Sequence, residues 1–253
     1  MKRCTLLLLA GCLLFACTLA AQQTTEASRG PDGGTRTHVA GIEILPLPGQ
    51  PFSGRDSVEW TRTLEDGSVQ TRHLEAALAR DSHGRIYRER RNFVPANTSE
   101  QSRLDLIFIS DPVTHTKTTC TVVEHSCTVT GYHRPTSFVP MKPGSFDDGK
   151  RALTRESLGT SVVDDVNVVG TRETLSIGAG VVGNSQPLVV TREFWYSPEL
   201  QVNLSVTRKD PREGTQTIHV VDLSRAEPDP AMFQVPAGFV VHGDGGELPR
   251  DEN

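Results

Sequence analysis

Residues 200–224 read LQVNLSVTRKDPREGTQTIHVVDLS, and their alternation decides the kind of fold this chain can adopt. Leu200, Val202, Leu204 and Val206 fall on one side of an extended strand, and Gln201, Asn203, Ser205 and Thr207 on the other. The stretch KDPREG (209–214) holds the proline and glycine that reverse the chain, after which TQTIHVVDLS (215–224) resumes the β pattern. This is an antiparallel hairpin written in side chains.

The same pattern extends in both directions. SVEWTRTL (57–64) and SVQTRHLEA (68–76) flank Glu65, Asp66 and Gly67, and Asp-Gly is a strong hairpin turn signal. ALARDSHGRIYRERR carries a second turn at Ser82, His83 and Gly84. RLDLIFIS (103–110) has a continuous apolar run at 106–109, which predicts a strand buried on both faces. Asp111 and Pro112 end it, since proline brings no ladder donor. SVVDDVNVVGTRETLSI (161–177) and PLVVTREFWYS (187–197) are two further long β-rich stretches. No window of a dozen residues has a helical period. The expectation is a mainly β chain of about nine to eleven antiparallel strands joined by short turns, with little helix.

One motif argues for another fold and fails on context. GAGVVG (178–183) matches the glycine pattern of a dinucleotide-binding loop. That loop works only where a helix N-terminus follows and points amides at the pyrophosphate. Here Asn184, Ser185, Gln186 and Pro187 follow, then Leu188, Val189 and Val190, and the proline and β-branched run forbid a helix. The motif is read as a connector between strands, with no cofactor.

The N-terminus reads as an export signal over residues 1–21. Lys2 and Arg3 supply the positive start, residues 6–16 the apolar stretch, and Thr18, Ala20 and Ala21 a small-residue cleavage region. A competing reading takes LAGC (9–12) as a lipoprotein signal that would anchor the chain through Cys12. No later segment has the roughly 18–20 apolar residues of a membrane span. Residues 22–55, rich in Gly, Pro, Thr and Ser apart from an apolar piece at 39–47, are expected to be a flexible segment. A single β domain is expected over 56–241, and a polar tail over 242–253. The formal net charge of −5 provides no field for holding nucleic acid by counterion release.

Three of the five cysteines lie in the leader, leaving Cys120 and Cys127 in CTVVEHSC. An even pair in an oxidising compartment reads first as a disulfide. With Val123 and Glu124 at a hairpin turn, Cys120 faces Cys127 across two strands, and closing so short a loop stabilises by roughly 2–3 kcal/mol. The alternatives are free thiols or a metal site drawing on His115, Cys120, His125, Cys127 and His133, although the spacing lacks the paired clips of zinc sites.

Catalytic signatures are missing. The eight histidines form no H-E-x-x-H, and no G-x-S-x-G elbow occurs. The carboxylate pairs Asp147 with Asp148 and Asp164 with Asp165 are adjacent, so on a strand they point to opposite faces and in a turn they are solvated. Arg88, Arg90 and Arg91, interrupted by Glu89, are read as a strand face with cross-strand charge pairs. Trp60 and the run Phe194, Trp195, Tyr196 are the candidate apolar contacts. Trp195 projects opposite to its two neighbours, so one face packs in the core while the other offers an aromatic.

From about residue 156 to 241 the motifs ESLGT, VVGTRETLSI, TREFWYSPELQV, RKDPREGTQTIHVVDL and EPDPAMFQVPAGFVV resemble exported proteins of the LolA/LolB/RseB-like group. The resemblance implies a strongly curved antiparallel half-barrel whose concave face holds an apolar cavity suited to acyl chains or a lipoprotein. In the closing motif, Pro228 and Pro230 break the strand after Leu223, Met232 and Phe233 plug the sheet, and the chain returns along an edge. The lipoprotein carriers of the group lid the cavity with helices. Here the nearest lid candidate is the loop RPTSFVPMKPGSF (134–146), with Phe138, Met141 and Phe146. The functional expectation is an exported, non-enzymatic binding protein of the periplasm or cell surface, holding a lipid or lipoprotein acyl chain. The alternatives are a module that binds another envelope protein and, third, a hydrolase with a dispersed site.

Overall fold

The hairpin written into 200–224 is present: β12 (Val202–Asp210) and β13 (Gly214–Ser224) pair antiparallel and close where Asp210 faces Gly214. The structure, a computed structural model, describes residues 42–132 and 142–243. The other strands are β1 (Phe52–Thr63), β2 (Val69–Arg80), β3 (Ile86–Arg91), β4 (Val94–Pro95), β5 (Leu104–Asp111), β6 (Thr116–Thr121) and β7 (Ser126–Gly131). They continue with β8 (Gly144–Phe146), β9 (Arg151–Val163), β10 (Val166–Ile177), β11 (Leu188–Ser197) and β14 (Val240–Gly243). All belong to one open, curved sheet of 14 strands in the order β14-β7-β6-β5-β3-β2-β1-β13-β12-β11-β10-β9-β8, with β4 pairing β2 to the side. The count exceeds nine to eleven because β4, β8 and β14 are pieces of two to four residues. The only helical turn among the described residues is a 3-10 turn, Pro230–Phe233, capped by Asp229. No described helix is long and apolar enough to cross a membrane.

The turns follow from residues that tolerate left-handed backbone. Gly67 (φ 81°) and Gly84 (φ 83°) sit in the two expected reversals. Asp164 (φ 44°) and Asp165 (φ 61°) form a two-residue turn, so SVVDDVNVV is the tip of a hairpin and the long stretch 161–177 is divided between β9 and β10. GAGVVG is a strand connector, as its context requires: the Asn184 side-chain amide donates to the carbonyls of Gly178 (2.8 Å) and Gln186 (2.7 Å).

Two cores form on opposite faces of this sheet. On one face, Leu74, Val58, Ile218, Val206 and Phe194 stand directly opposite one another across five strands, each at most 4% exposed. Burying side chains of this size contributes about 1.5–3 kcal/mol each. On the other face, Ala79, Ile107, Ile109, Cys120 and Cys127 are covered by Phe233, with Met232, Val235 and Phe239 around it. β2 serves both, since Leu78 and Ala79 point to opposite faces. β5 is therefore not buried on both sides: Ile107 and Ile109 are buried, while Leu106 and Phe108 are half-buried.

The ends of the domain differ from expectation. Residues 42–51 belong to the folded unit and are no flexible segment, because Ile42 and Ile44 are buried in the first core. Arg80, wholly buried, fastens this strap by donating to the carbonyls of Leu45 (2.9 Å), Gln50 (3.0 Å) and Leu200 (2.8 Å). At the other end, β14 pairs with β7 and includes His242 and Gly243; this pairing is parallel, an exception in an otherwise antiparallel sheet. The export signal, with Cys12, lies outside the described residues.

Candidate binding surface

The aromatic candidates do not converge. Phe194 is part of the buried row and is 2% exposed. Trp195 is half-buried, packs against the margin of the same core and lies over Gly170, where a Cβ would stand 2.7 Å from its ring and 2.8 Å from Leu158 Cβ. Glycine is required there because any side chain would enter the seat of the indole. Across from Trp195, Ser205 and its neighbour Asn203 are also buried, so the polar side of β12 is covered too. Tyr196 is half-buried, and burial raises the pKa of its hydroxyl, with Arg80 acting the other way. Trp60 packs edge-on against Phe93 at 5.8 Å and donates its indole N–H to the Glu213 carbonyl at 2.7 Å. Phe146 is on β8, at one end of the sheet order, whereas Trp60 is on β1 near its middle. Phe138 and Met141 fall outside the described residues.

Sequence reading missed a polar row next to the apolar one. Two residues along each strand from Leu74, Val58, Ile218, Val206 and Phe194 stand Arg72, Trp60, Gln216, Arg208 and Arg192. The row continues into Glu173 and Arg155. Carboxylates are interleaved: Glu173 accepts from Arg155 Nε at 2.9 Å, and Asp210 accepts from Arg208 at 3.2 Å and Arg212 at 2.7 Å. Burial pushes the Asp210 carboxyl up, but the hydrogen bonds from Arg212 and Arg208 outweigh it and hold the pKa down at about 2. The available signal was each basic or amide residue two places from a core residue in an alternating strand. A recess of about 670 Å³ adjoins the end of this row, lined by Arg62, Glu65, Lys209, Asp210 and Arg212 among others.

Asp56 is a carboxylate whose burial is poorly compensated. Its carboxylate is buried under the strap and accepts the Ile42 backbone N–H at 3.0 Å, while its second oxygen has no hydrogen-bond partner among the described residues. Burial raises its pKa to about 6, against the opposing pull of Arg88 and the Ile42 hydrogen bond.

The remaining motifs resolve into structure. Cys120 and Cys127 form a disulfide between directly paired residues of β6 and β7, with Cα atoms 3.9 Å apart, so neither thiol is available to a metal. The arginines of YRERR have carboxylate partners: Arg88 with Glu43, Arg90 with Asp105 and Arg91 with Glu89. Both Asp pairs are turn residues with positive φ. Ser57 and Ser205 flank His219 in register, yet no hydrogen bond joins either hydroxyl to the imidazole among the described residues, so no activated nucleophile is assembled there. Asp81, His83 and Glu227 come within 4.8 Å of one another. The Asp81 carboxylate is already engaged by the backbone N–H groups of His83 and Arg85 and by the Arg85 guanidinium.

No known family model matches the chain, and no curated protein does. Solved structures do match. An uncharacterized conserved protein from Thermus thermophilus is 9% identical with a TM-score of 0.40, over 78% of this chain and 91% of that one. MucB of Pseudomonas aeruginosa, in its complex with MucA, is 13% identical with a TM-score of 0.35, over 76% of this chain and 58% of that one. A LolA superfamily protein from Nitrosomonas europaea is 7% identical with a TM-score of 0.26, over 75% of this chain and 92% of that one. The last carries the name of the group that the closing motifs resemble. Likeness at this level concerns the sheet architecture alone.

Proposed function

We propose that this chain is an exported, non-enzymatic binding protein whose ligand is another polypeptide of the cell envelope. Occupancy carries this reading over the acyl-chain one. Among the described residues, the apolar row from Leu74 to Phe194 is buried in the chain's own core, to which the strap contributes Ile42 and Ile44. An acyl chain needs an apolar recess, and the recess of about 670 Å³ sets Arg62, Glu65, Lys209, Asp210 and Arg212 beside Leu64, Val189 and Pro211 in its lining.

Native mass spectrometry of the exported protein, with organic extraction of the same sample, tests the choice. The expected result is a lipid-free chain that takes up no fluorescent fatty acid and is crosslinked in the envelope to one reproducible polypeptide. A stoichiometric acyl lipid in the extract would overturn the proposal and restore the acyl-chain ligand.

A further inference from the structure

Among the described residues the sheet has one long edge without a partner strand. β9 runs from Arg151 to Val163, yet on its outer side β8 pairs only with Arg151, Ala152 and Leu153. Beyond Leu153 no described strand bonds that side. The pairing with β10 fixes which backbone groups face outward. Val163 and Val166 flank the two-residue turn and form its hydrogen-bonded pair, so the alternation of an antiparallel ladder turns the N–H and C=O of Val162 and Thr160 away from β10. A register shift at Leu158, with Gly159 at φ 85°, ends the regular stretch on the other side.

Natural edges are usually blunted by lysine, proline, inward charge or a bulge. Past the bulge at Leu158, residues 159–163 (GTSVV) contain none of these, and Val162 is 60% exposed. Charge appears only at the two ends: Glu156, held by Arg172, on one side, and the exposed Asp164 and Asp165 on the other. Two copies of the chain pairing about Ser161 would bring Asp165 of one beside Glu156 of the other, and the net charge of −5 opposes the encounter further.

We infer that the outer edge of residues 159–163 accepts an extended segment of a partner polypeptide, with a short β-branched centre flanked by Lys or Arg, as an added strand. Backbone hydrogen bonds to Thr160 and Val162 supply the attachment, and the acidic ends set its polarity. This deepens the polypeptide-binding reading and rests on it.

The test uses the mature chain and two labelled peptides, Lys-Thr-Val-Thr-Val-Thr-Lys and its Glu-flanked counterpart, followed by fluorescence anisotropy. Saturable binding of the Lys-flanked peptide is expected, with Val162→Pro weakening it at least about tenfold, because proline removes an outward donor without touching the β10 ladder. A second variant, Asp164→Asn with Asp165→Asn, keeps residues that tolerate the turn and should weaken binding roughly three- to tenfold. Equal binding of both peptides, or unchanged binding by Val162→Pro, overturns the edge assignment while leaving polypeptide binding elsewhere intact. Failure of the wild-type chain to bind the Lys-flanked peptide overturns the edge assignment. An acyl lipid in the extract overturns the underlying reading. Concentration-dependent dimerisation that Val162→Pro abolishes would identify a second copy as the occupant and overturn the proposed partner.

Discussion

The guanidinium carbon of Arg80 lies 5.0 Å from the centroid of the Phe52 ring, and both residues are fully buried. Among the described residues no carboxylate neutralises this arginine; three backbone carbonyls and an aromatic face surround it instead. Burial accordingly lowers its pKa to about 10, with Arg225 adding to the effect, which leaves it charged at neutral pH. Arg80 ties the strap at 45–50 to the turn before β12.

Arg80→Met, close in volume but without donors, should therefore destabilise the chain by about 3–5 kcal/mol, because the carbonyls of Leu45, Gln50 and Leu200 lose their donors. Urea denaturation reads the loss, and hydrogen exchange should place the earliest opening in residues 42–51.

Asp56 makes stability depend on pH in the direction opposite to an ordinary ion-paired carboxylate. Its folded pKa of about 6 exceeds the unfolded value near 3.8, so both states are protonated below that value. As pH rises from about 4 to 6 the unfolded chain ionises first, and roughly 3 kcal/mol of stability is lost by the time pH passes 6. Asp56→Asn should gain about 1–3 kcal/mol over wild type at pH 7.5 and nothing near pH 4, as measured by denaturation midpoints.

Asp210 has the opposite sign. Its folded pKa of about 2 lies below the unfolded value, so its contribution is complete above about pH 4 and is lost as pH falls toward 2. Asp210→Asn should cost about 1–2 kcal/mol at pH 7 and progressively less in acid. A cost that does not change with pH would refute the ion-pair account.

The disulfide closes a separation of seven residues. Cys120→Ser with Cys127→Ser should lower stability by about 2.5 kcal/mol. Thiol titration of the chain without residues 1–21 should find no free thiol before denaturation and reduction.

Gly170→Ala places a methyl group within 2.7 Å of the Trp195 ring and should cost about 1–3 kcal/mol. Since Trp60 and Trp195 are the chain's two tryptophans, a shift in emission that persists when Trp60 is replaced by Phe localises the disturbance.

Strand content was legible because it rests on local signals. Alternation in 200–207, Asp-Gly at 66–67 and the prolines after Asp111, Glu227 and Asp229 act over a few residues, and each appears where expected. The Cys120–Cys127 pairing was legible for the same reason, since a hairpin turn sets its own register. What escaped depends on distant parts of the chain. Asp164 and Asp165 look like part of a strand until their left-handed backbone makes them a turn. Ile42 and Ile44 sit in Gly- and Pro-rich sequence, and only Asp56 and Arg80, contributed by β1 and β2, show that this segment has a seat. The row from Arg72 to Arg155 needs six strand pairings to assemble, and no window of sequence contains it.

Placing the two cores on opposite faces also orders the chain's emergence. The greasy side of β5, β6 and β7 is sealed by residues 232–239, which leave the ribosome and any export channel more than a hundred residues later. Until then Ile107 and Ile109 have no cover. A chain terminated after Ser224 would keep most of its ladder and present that bare side to chaperones and proteases, so a late segment of eight residues shields the early half.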